Sequence, residues 1–175
     1  AVDAAAEDKL TGREKTVKMV KNILNPVDKM DGDSLPVSTF VDHADGTFEL
    51  GAAAYEKRGI AVSVPKWDAE KCIQCNQCAF VCPHATIRPF ALTAEEAAAA
   101  PAGTKMAEIK AGTGKGVYKY AMAVSPLDCM GCGVCISQCP TGAIEMVAME
   151  SQLPEQEVFN YMVSEVSEKK DMYAE

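Results

Sequence analysis

The chain has 175 residues and a formal net charge of −8 at pH 7. That length is enough for one or two domains with a real hydrophobic core. The acidic charge argues against nucleic acid and anionic membranes as partners, and no apolar run approaches the length of a membrane span.

Residues 1–30 are predicted to form an N-terminal helical segment. Thr11 and Glu14 match a capping box, and Pro26 marks the expected end of the helix. The apolar residues at helical spacing are Val17, Val20, Leu24 and Val27. We interpret this segment as an amphipathic helix that packs on a surface, with its lysines in solvent.

Residues 31–66 are predicted to form an extended connector. They are rich in Asp, Gly, Ser and Pro and lack a sustained hydrophobic period. Asp45-Gly46 indicates a plain turn rather than a calcium loop, because the acidic spacing does not match an EF-hand. His43 is expected on a surface loop.

Two cysteine runs, Cys72 to Pro83 and Cys129 to Pro140, share the pattern C-x2-C-x2-C-x3-C-P and contain all eight cysteines. The first three cysteines of such a run can surround one 4Fe–4S cluster, whereas the fourth, before proline, ligates the other cluster. The pattern therefore predicts two 4Fe–4S clusters with crossed ligand sets. The first set is Cys72, Cys75, Cys78 and Cys139, and the second is Cys129, Cys132, Cys135 and Cys82. The crossing ties both halves of the domain to the metal, so neither half is expected to fold well without it.

Zinc is the main alternative for these cysteines. It prefers two C-x2-C pairs, for which the third cysteine and the Cys-Pro ending are superfluous. A disulfide framework fits poorly, because no signal peptide is visible. Thiolate-ligated clusters need a reducing setting, so we expect a cytoplasmic protein. His84 follows the first Cys-Pro pair, and a hydrogen-bonding role is favoured over iron ligation because eight cysteines already fill both clusters.

The spacing predicts an α+β fold, a ferredoxin-like domain over residues 67–150 built as a pseudo-twofold βαβ repeat. Strands are expected at 86–89, 117–126 and 143–149, with a short helix ending near Cys82. Residues 91–116 form an insertion that contains a helix over 94–100, opened by a capping box of Thr93 and Glu96. Its glycine-rich end lacks the motif of a phosphate-binding loop. Residues 151–175 are predicted to be a C-terminal helix, over 154–167, and a charged tail.

The strand at 117–126 alternates between two faces. Tyr118, Tyr120, Met122 and Val124 share one face, and Val117, Lys119, Ala121 and Ala123 share the other. In the second run, Gly131 and Gly133 leave room for backbone amides to approach the cluster. The apolar residues expected to bury the clusters are Ile73, Phe80, Val81, Val134 and Ile136.

Several stretches of the chain resemble the pyruvate:ferredoxin (flavodoxin) oxidoreductases. The stretches are Leu35-Pro-Val-Ser-Thr-Phe40, Asp45-Gly-Thr-Phe48, Tyr55-Glu-Lys-Arg-Gly-Ile-Ala61, Trp67-Asp-Ala-Glu-Lys-Cys-Ile-Gln-Cys75, Phe80-Val-Cys-Pro-His-Ala85 and Asp128-Cys-Met-Gly-Cys-Gly-Val-Cys135. The resemblance implies the internal two-cluster domain of that enzyme with its preceding connector. Its implied role is to pass single electrons from a third cluster, beside thiamine diphosphate, to ferredoxin or flavodoxin.

The chain also lacks parts of that enzyme. It has no further cysteines for a third cluster and no Gly-Asp-Gly motif for thiamine diphosphate. We therefore expect electron transfer alone, with no catalytic acid, base or nucleophile, in a fragment of a larger oxidoreductase. A free-standing two-cluster ferredoxin and an iron–sulfur subunit of another oxidoreductase are the alternatives. The ferredoxin would not need the long connector or the N-terminal helix, and the subunit would keep the cysteines but not Tyr55 to Ala61.

Overall fold

The computed structural model describes residues 12–172, and the chain divides into two compact units, Ala1–Arg58 and Gly59–Glu175. Thr11, half of the predicted N-terminal capping box, lies outside the described residues. None of the helices between residues 12 and 172 has both the length and the apolar composition that a bilayer crossing requires.

The first unit contains one continuous helical stretch in three parts. Helix α1 (Glu14–Met19) leads into a π-helical turn (Val20–Leu24) and then into α2 (Asn25–Asp28). The helix was expected to stop at Pro26, but it continues to Asp28, with Pro26 placed directly after the π-helical turn at the start of α2.

The buried face of this helix also differs from the predicted one. Met19, Val20 and Ile23 form its core, whereas Val27 is exposed. In the π turn the amide of Asn25 donates to the Val20 carbonyl five residues back, so the turn holds one residue more than an α turn. That extra residue rotates the following side chains away from the predicted seam.

The predicted connector contains 3-10 turns up to the end of the first unit. They span Gly32–Ser34, Val37–His43 and Ala52–Tyr55. At the predicted turn, the Asp45 carboxylate accepts from the Thr47 amide at 3.0 Å and from the Thr47 hydroxyl at 2.7 Å. His43 stacks on Phe48 with ring centroids 4.9 Å apart.

The second unit begins before the predicted domain start, because residues 63–66 already belong to a strand. Its strands are β1 (Ser63–Trp67), β2 (Ile87–Leu92), β3 (Ala107–Glu108), β4 (Lys119–Val124) and β5 (Ile144–Ala148). Its helices are α3 (Gln77–Phe80), α4 (Ala94–Ala99), α5 (Val134–Ser137) and α6 (Glu155–Glu165). Two 3-10 turns complete it, Met149–Gln152 and Lys170–Met172.

The strands form two antiparallel sheets that each combine both halves of the unit. Strands β1 and β2 flank the first cysteine run, and β4 and β5 flank the second. Yet β1 pairs with β5, and β2 pairs with β4, with β3 on the other side of β4. Each sheet therefore holds one cysteine run against the other.

Strand β4 separates two cores, as its alternation predicts. Tyr120, Met122 and Val124 pack beside the cysteines with Trp67 and Ile87. On the opposite face, Leu92, Ala121 and Ala123 pack with three side chains of α6, which are Val158, Phe159 and Met162. Helix α6 thus covers the sheet surface that faces away from the cysteines.

The predicted capping box on α4 is confirmed. The Thr93 hydroxyl accepts from the Glu96 amide at 3.2 Å, and the Glu96 carboxylate accepts from the Thr93 amide at 2.8 Å. The same carboxylate accepts from the amide and hydroxyl of Ser167 and lies 2.8 Å from the Lys169 ammonium. One side chain therefore caps a helix and attaches the C-terminal segment to it.

Candidate metal centres

Two pockets in the second unit are lined by cysteines from both runs. The first pocket, which we call the first site, is lined by Cys72, Cys75, Cys78 and Cys139. The other pocket, the second site, is lined by Cys82, Cys129, Cys132 and Cys135. Each site thus contains three cysteines of one run and the fourth cysteine of the other. All eight thiols are free of disulfides.

The two cysteine loops have the same backbone conformation at matched positions. Gln74 and Asn76 have φ of 62° and 59°, and their counterparts Gly131 and Gly133 have φ of 69° and 74°. This left-handed backbone turns successive amides toward the loop interior. As a result, the Gln74 amide donates to Cys72 Sγ at 3.3 Å, and the Gly131 amide donates to Cys129 Sγ at 3.4 Å. Amide donors of this kind stabilise thiolate.

The first loop adopts this conformation without glycine. The Tyr120 hydroxyl donates to Asn76 Oδ1 at 2.7 Å, and asparagine tolerates the left-handed region better than most residues. At Gly131 the side chain is excluded for a second reason. A Cβ there would lie 3.1 Å from the Ser63 carbonyl oxygen and 3.3 Å from Ala61 Cβ.

The fourth cysteine of each run lies just after a one-turn helix and is followed by proline. Cys82 Sγ accepts from the Thr86 amide at 3.3 Å, and Cys139 Sγ accepts from the Ala143 amide at 3.2 Å. Burial opposes ionisation of both thiols, but these hydrogen bonds outweigh it and lower the pKa of Cys82 and of Cys139. The backbone amide of His84 contributes to the lowered pKa of Cys82, while its side chain is exposed.

The deeper cysteines have the opposite tendency. Burial, reinforced by neighbouring cysteines, raises the pKa of Cys78 and of Cys135 to about 11, and burial also raises the pKa of Cys129. Without a cation these three thiols stay protonated at neutral pH. Metal ligation requires thiolates, so cation binding at these positions releases protons.

Of the apolar neighbours expected to bury the sites, Ile73 lines the first pocket and Val134 the second, and the two side chains are 51% and 40% exposed. The expectation is wrong for Phe80, which is 86% exposed and lines neither pocket. The buried side chains beside the cysteines are instead Trp67, Ile87, Tyr120, Met122, Val124, Ala143 and Ile144. Strand alternation, which predicted the two faces of β4, is the signal that marks several of these residues.

The donor set fits iron–sulfur clusters. Each pocket is lined by four thiols, backbone amides point at ligand sulfurs in both loops, and no carboxylate or imidazole is needed to complete either set. Within residues 12–172, no group of three or more His, Cys, Asp or Glu side chains is placed to hold a single metal ion.

Comparison with protein families decides the class of this region. Residues 71–143 match the family model described as a 4Fe-4S dicluster domain. The chain contains a 4Fe-4S dicluster domain. Residues 6–61, which precede the dicluster domain, match a second family model, EKR, described as a domain of unknown function. The two 4Fe–4S clusters predicted from the cysteine spacing are thereby confirmed.

Curated relatives extend the similarity beyond the dicluster domain. The chain is 49% identical to the pyruvate-flavodoxin oxidoreductase of Enterobacter agglomerans over 160 residues. Those residues make up 90% of this chain and 13% of the relative. It is 44% identical to the pyruvate:ferredoxin oxidoreductase of Moorella thermoacetica over 167 residues, and this alignment covers 93% of the chain and 14% of the relative. Over 133 residues it is 47% identical to the NADP(+)-type pyruvate dehydrogenase of Cryptosporidium parvum, 76% of this chain and 7% of that protein.

These matches confirm the resemblance found in the sequence. The chain is related to one segment of the pyruvate:ferredoxin and pyruvate-flavodoxin oxidoreductases. It spans about one seventh or less of the length of the relatives it matches. The similarity includes both units, so the residues before the dicluster domain are part of the same relationship.

Proposed function

We propose that this chain relays single electrons between two 4Fe–4S clusters inside a larger pyruvate-oxidising enzyme. The first-site cluster is ligated by Cys72, Cys75, Cys78 and Cys139, and the second-site cluster by Cys129, Cys132, Cys135 and Cys82. The observation that carries the assignment is the crossed lining of the two pockets, in which a fourth cysteine joins the three cysteines of the other run.

The same arrangement supports a pseudo-twofold domain with residues 91–116 inserted between its halves. The left-handed backbone at Gln74 and Asn76 recurs at Gly131 and Gly133. In both runs, the fourth cysteine accepts a hydrogen bond from the backbone amide of the residue four positions later. The two sheets also exchange strands between the halves. These repeated local features are what a duplicated βαβ unit around two clusters requires.

Each bound cluster supplies a one-electron couple, since a 4Fe–4S core alternates between two charge states. The protein provides ligation, spacing and electrostatics. Backbone amides of Gln74, Gly131, Thr86 and Ala143 donate to ligand sulfurs and stabilise negative charge there. The buried shell around Trp67 and Met122 limits water on the side of each site that faces the core.

The relatives favour pyruvate as the source of the electrons and ferredoxin or flavodoxin as the acceptor. We assign the pyruvate chemistry to parts of the parent enzyme outside this chain, and the electron relay to the dicluster domain. A free-standing ferredoxin is a weaker candidate, because the similarity to the oxidoreductases includes residues of both units. The thiolate ligands fit a reducing cytoplasmic setting.

The test is the iron and acid-labile sulfide content of the anaerobically reconstituted chain, followed by low-temperature EPR after dithionite reduction. Eight irons, eight sulfides and a spin-coupled signal are expected. Bound zinc with no reducible signal would overturn the proposal. Four irons with a single uncoupled signal would overturn the two-cluster relay.

A further inference from the structure

The segment 91–116 is attached to the first cysteine loop by three polar contacts. The Lys110 ammonium donates to the Cys72 carbonyl at 2.5 Å. The Gln74 side-chain amide donates to the Glu108 carbonyl at 2.7 Å, and its oxygen accepts from the Lys110 amide at 2.9 Å. The segment therefore holds a cation against the first ligand residue of the first site.

The backbone position of Lys110 is fixed by the two residues that precede it. Its neighbour Ile109 is 6% exposed and packs in the same core as Cys72 and Cys78. Two residues before Lys110, Glu108 lies in β3, which pairs with β4, and its carboxylate pairs with the Lys119 ammonium. Because Glu108 and Ile109 are both fixed, the backbone of Lys110 cannot move away from the loop without disturbing the core.

Lys110 adds net positive charge at this loop. Lys71 also adjoins Cys72, but its ammonium lies 3.3 Å from the Asp68 carboxylate, so those two charges offset each other. The Glu108 and Lys119 charges offset each other in the same way. The ammonium of Lys110 instead donates to a neutral carbonyl and leaves its full charge beside the first site.

A nearby cation favours the more negative redox state of a cluster, because reduction adds one electron to a site already surrounded by thiolates. We propose that Lys110 is a positioning residue whose ammonium raises the reduction potential of the first-site cluster and so biases the electron toward that site. This inference rests on the proposed two-cluster relay and adds a direction to it.

The experiment is a redox titration of the anaerobic holo chain by EPR and protein-film voltammetry. Lys110→Gln keeps a hydrogen-bond donor and removes the charge, whereas Lys110→Arg keeps the charge. Lys105→Gln is the matched control, because Lys105 carries the same charge but pairs with Glu155 at 3.5 Å and lines a cavity without cysteines. Cys132→Ser assigns the two waves, since it alters a ligand of the second site only.

For Lys110→Gln we expect the ratio of reduced to oxidised first-site cluster at a fixed potential to fall roughly threefold to tenfold, about 30 to 60 mV for a one-electron couple. In Lys110→Arg the first-site wave should keep the potential of the unsubstituted chain. Lys105→Gln should shift the potentials of both waves by less than Lys110→Gln shifts the first-site wave. An unchanged first-site wave in Lys110→Gln, or equal shifts in both Gln variants, would overturn the inference. Loss of two-cluster signals in the unsubstituted chain would instead overturn the proposed function.

Discussion

The Thr86 hydroxyl lies 3.3 Å from Cys82 Sγ, and the amide of the same residue donates to that sulfur at 3.3 Å. Thr86 is 2% exposed, so both contacts are shielded from water. Its hydroxyl also contributes a hydrogen bond that opposes the raised pKa of Cys129, the first cysteine of the second run. One buried threonine therefore faces two cysteines of the second site.

Thr86→Val should lower the reduction potential of the second-site cluster. The substitution keeps the shape of the side chain but removes the O–H donor. In the unsubstituted protein that donor stabilises the reduced state of the cluster more than the oxidised one. A hydrogen bond of about 1 kcal/mol corresponds to roughly 40 mV for a one-electron couple. Protein-film voltammetry measures the shift.

Thr141→Val is the control for this prediction. The Thr141 hydroxyl lies 3.8 Å from Cys139 Sγ in an exposed position, so we expect a smaller shift, confined to the first-site wave. A larger effect from Thr141→Val than from Thr86→Val would contradict the role assigned to the buried hydroxyl.

Cys82→Ser should damage the second-site cluster, and Cys139→Ser should damage the first-site cluster, because the fourth cysteines are assigned to the opposite run. Cys132→Ser and Cys75→Ser provide reference spectra, since each changes an exposed cysteine whose site is assigned within its own run. The EPR spectrum of Cys82→Ser should then match that of Cys132→Ser. A match to Cys75→Ser would show that the ligand sets are not crossed.

Gly131→Ala should destabilise the protein more than Gly133→Ala. Both substitutions place a Cβ on left-handed backbone, which costs about 1–2 kcal/mol. At Gly131 the new Cβ would also lie 3.1 Å from the Ser63 carbonyl oxygen, whereas nothing lies within 4 Å at Gly133. Overpacking of this kind adds about 1–3 kcal/mol. Thermal unfolding of the holo chain, with iron content measured in parallel, checks the order. Equal unfolding temperatures would contradict the close approach of the Ser63 backbone.

Glu96→Gln should weaken the attachment of the C-terminal segment in a pH-dependent way. Burial opposes ionisation of Glu96, but hydrogen bonds from Lys169, Ser167 and Thr93 outweigh it and lower the pKa of the carboxyl to about 2 from an ordinary value of 4.5. The ionised carboxylate therefore stabilises the fold fully above pH 4.5, and its contribution is lost as the pH falls toward 2. At neutral pH this contribution is on the order of 3 kcal/mol at most.

The measurement for Glu96 is the difference in unfolding temperature between the unsubstituted and Glu96→Gln chains. The difference should be largest above pH 5 and shrink as the pH is lowered through 4 and 3. Because both chains carry the same cysteines, acid loss of the clusters affects them equally. Glu95→Gln, at an exposed position on the same helical turn, serves as the control and should show a smaller difference. A constant Glu96→Gln difference across this range would contradict the lowered pKa.

The sequence by itself determined those features that depend on neighbouring residues. The spacing of the eight cysteines indicated two 4Fe–4S clusters, because ligand identity and loop length are local properties of each run. Thr93 and Glu96 predicted a capping box three residues apart, and the alternation from Tyr118 to Val124 predicted two faces of one strand. Each of these signals lies within one turn or one strand.

Only the tertiary structure decided how the strands around the two runs pair. The pairing of β1 with β5 and of β2 with β4 joins residues far apart in sequence, and no local pattern specifies it. The same pairing determines which side chains cover the cysteines, which is why Trp67 is buried while Phe80 is exposed. It also brings Ser63 against Gly131, and the β3–β4 pairing helps hold Lys110 against Cys72. Such contacts arise from long-range packing, in which the burial of apolar surface selects among arrangements that the local sequence permits equally.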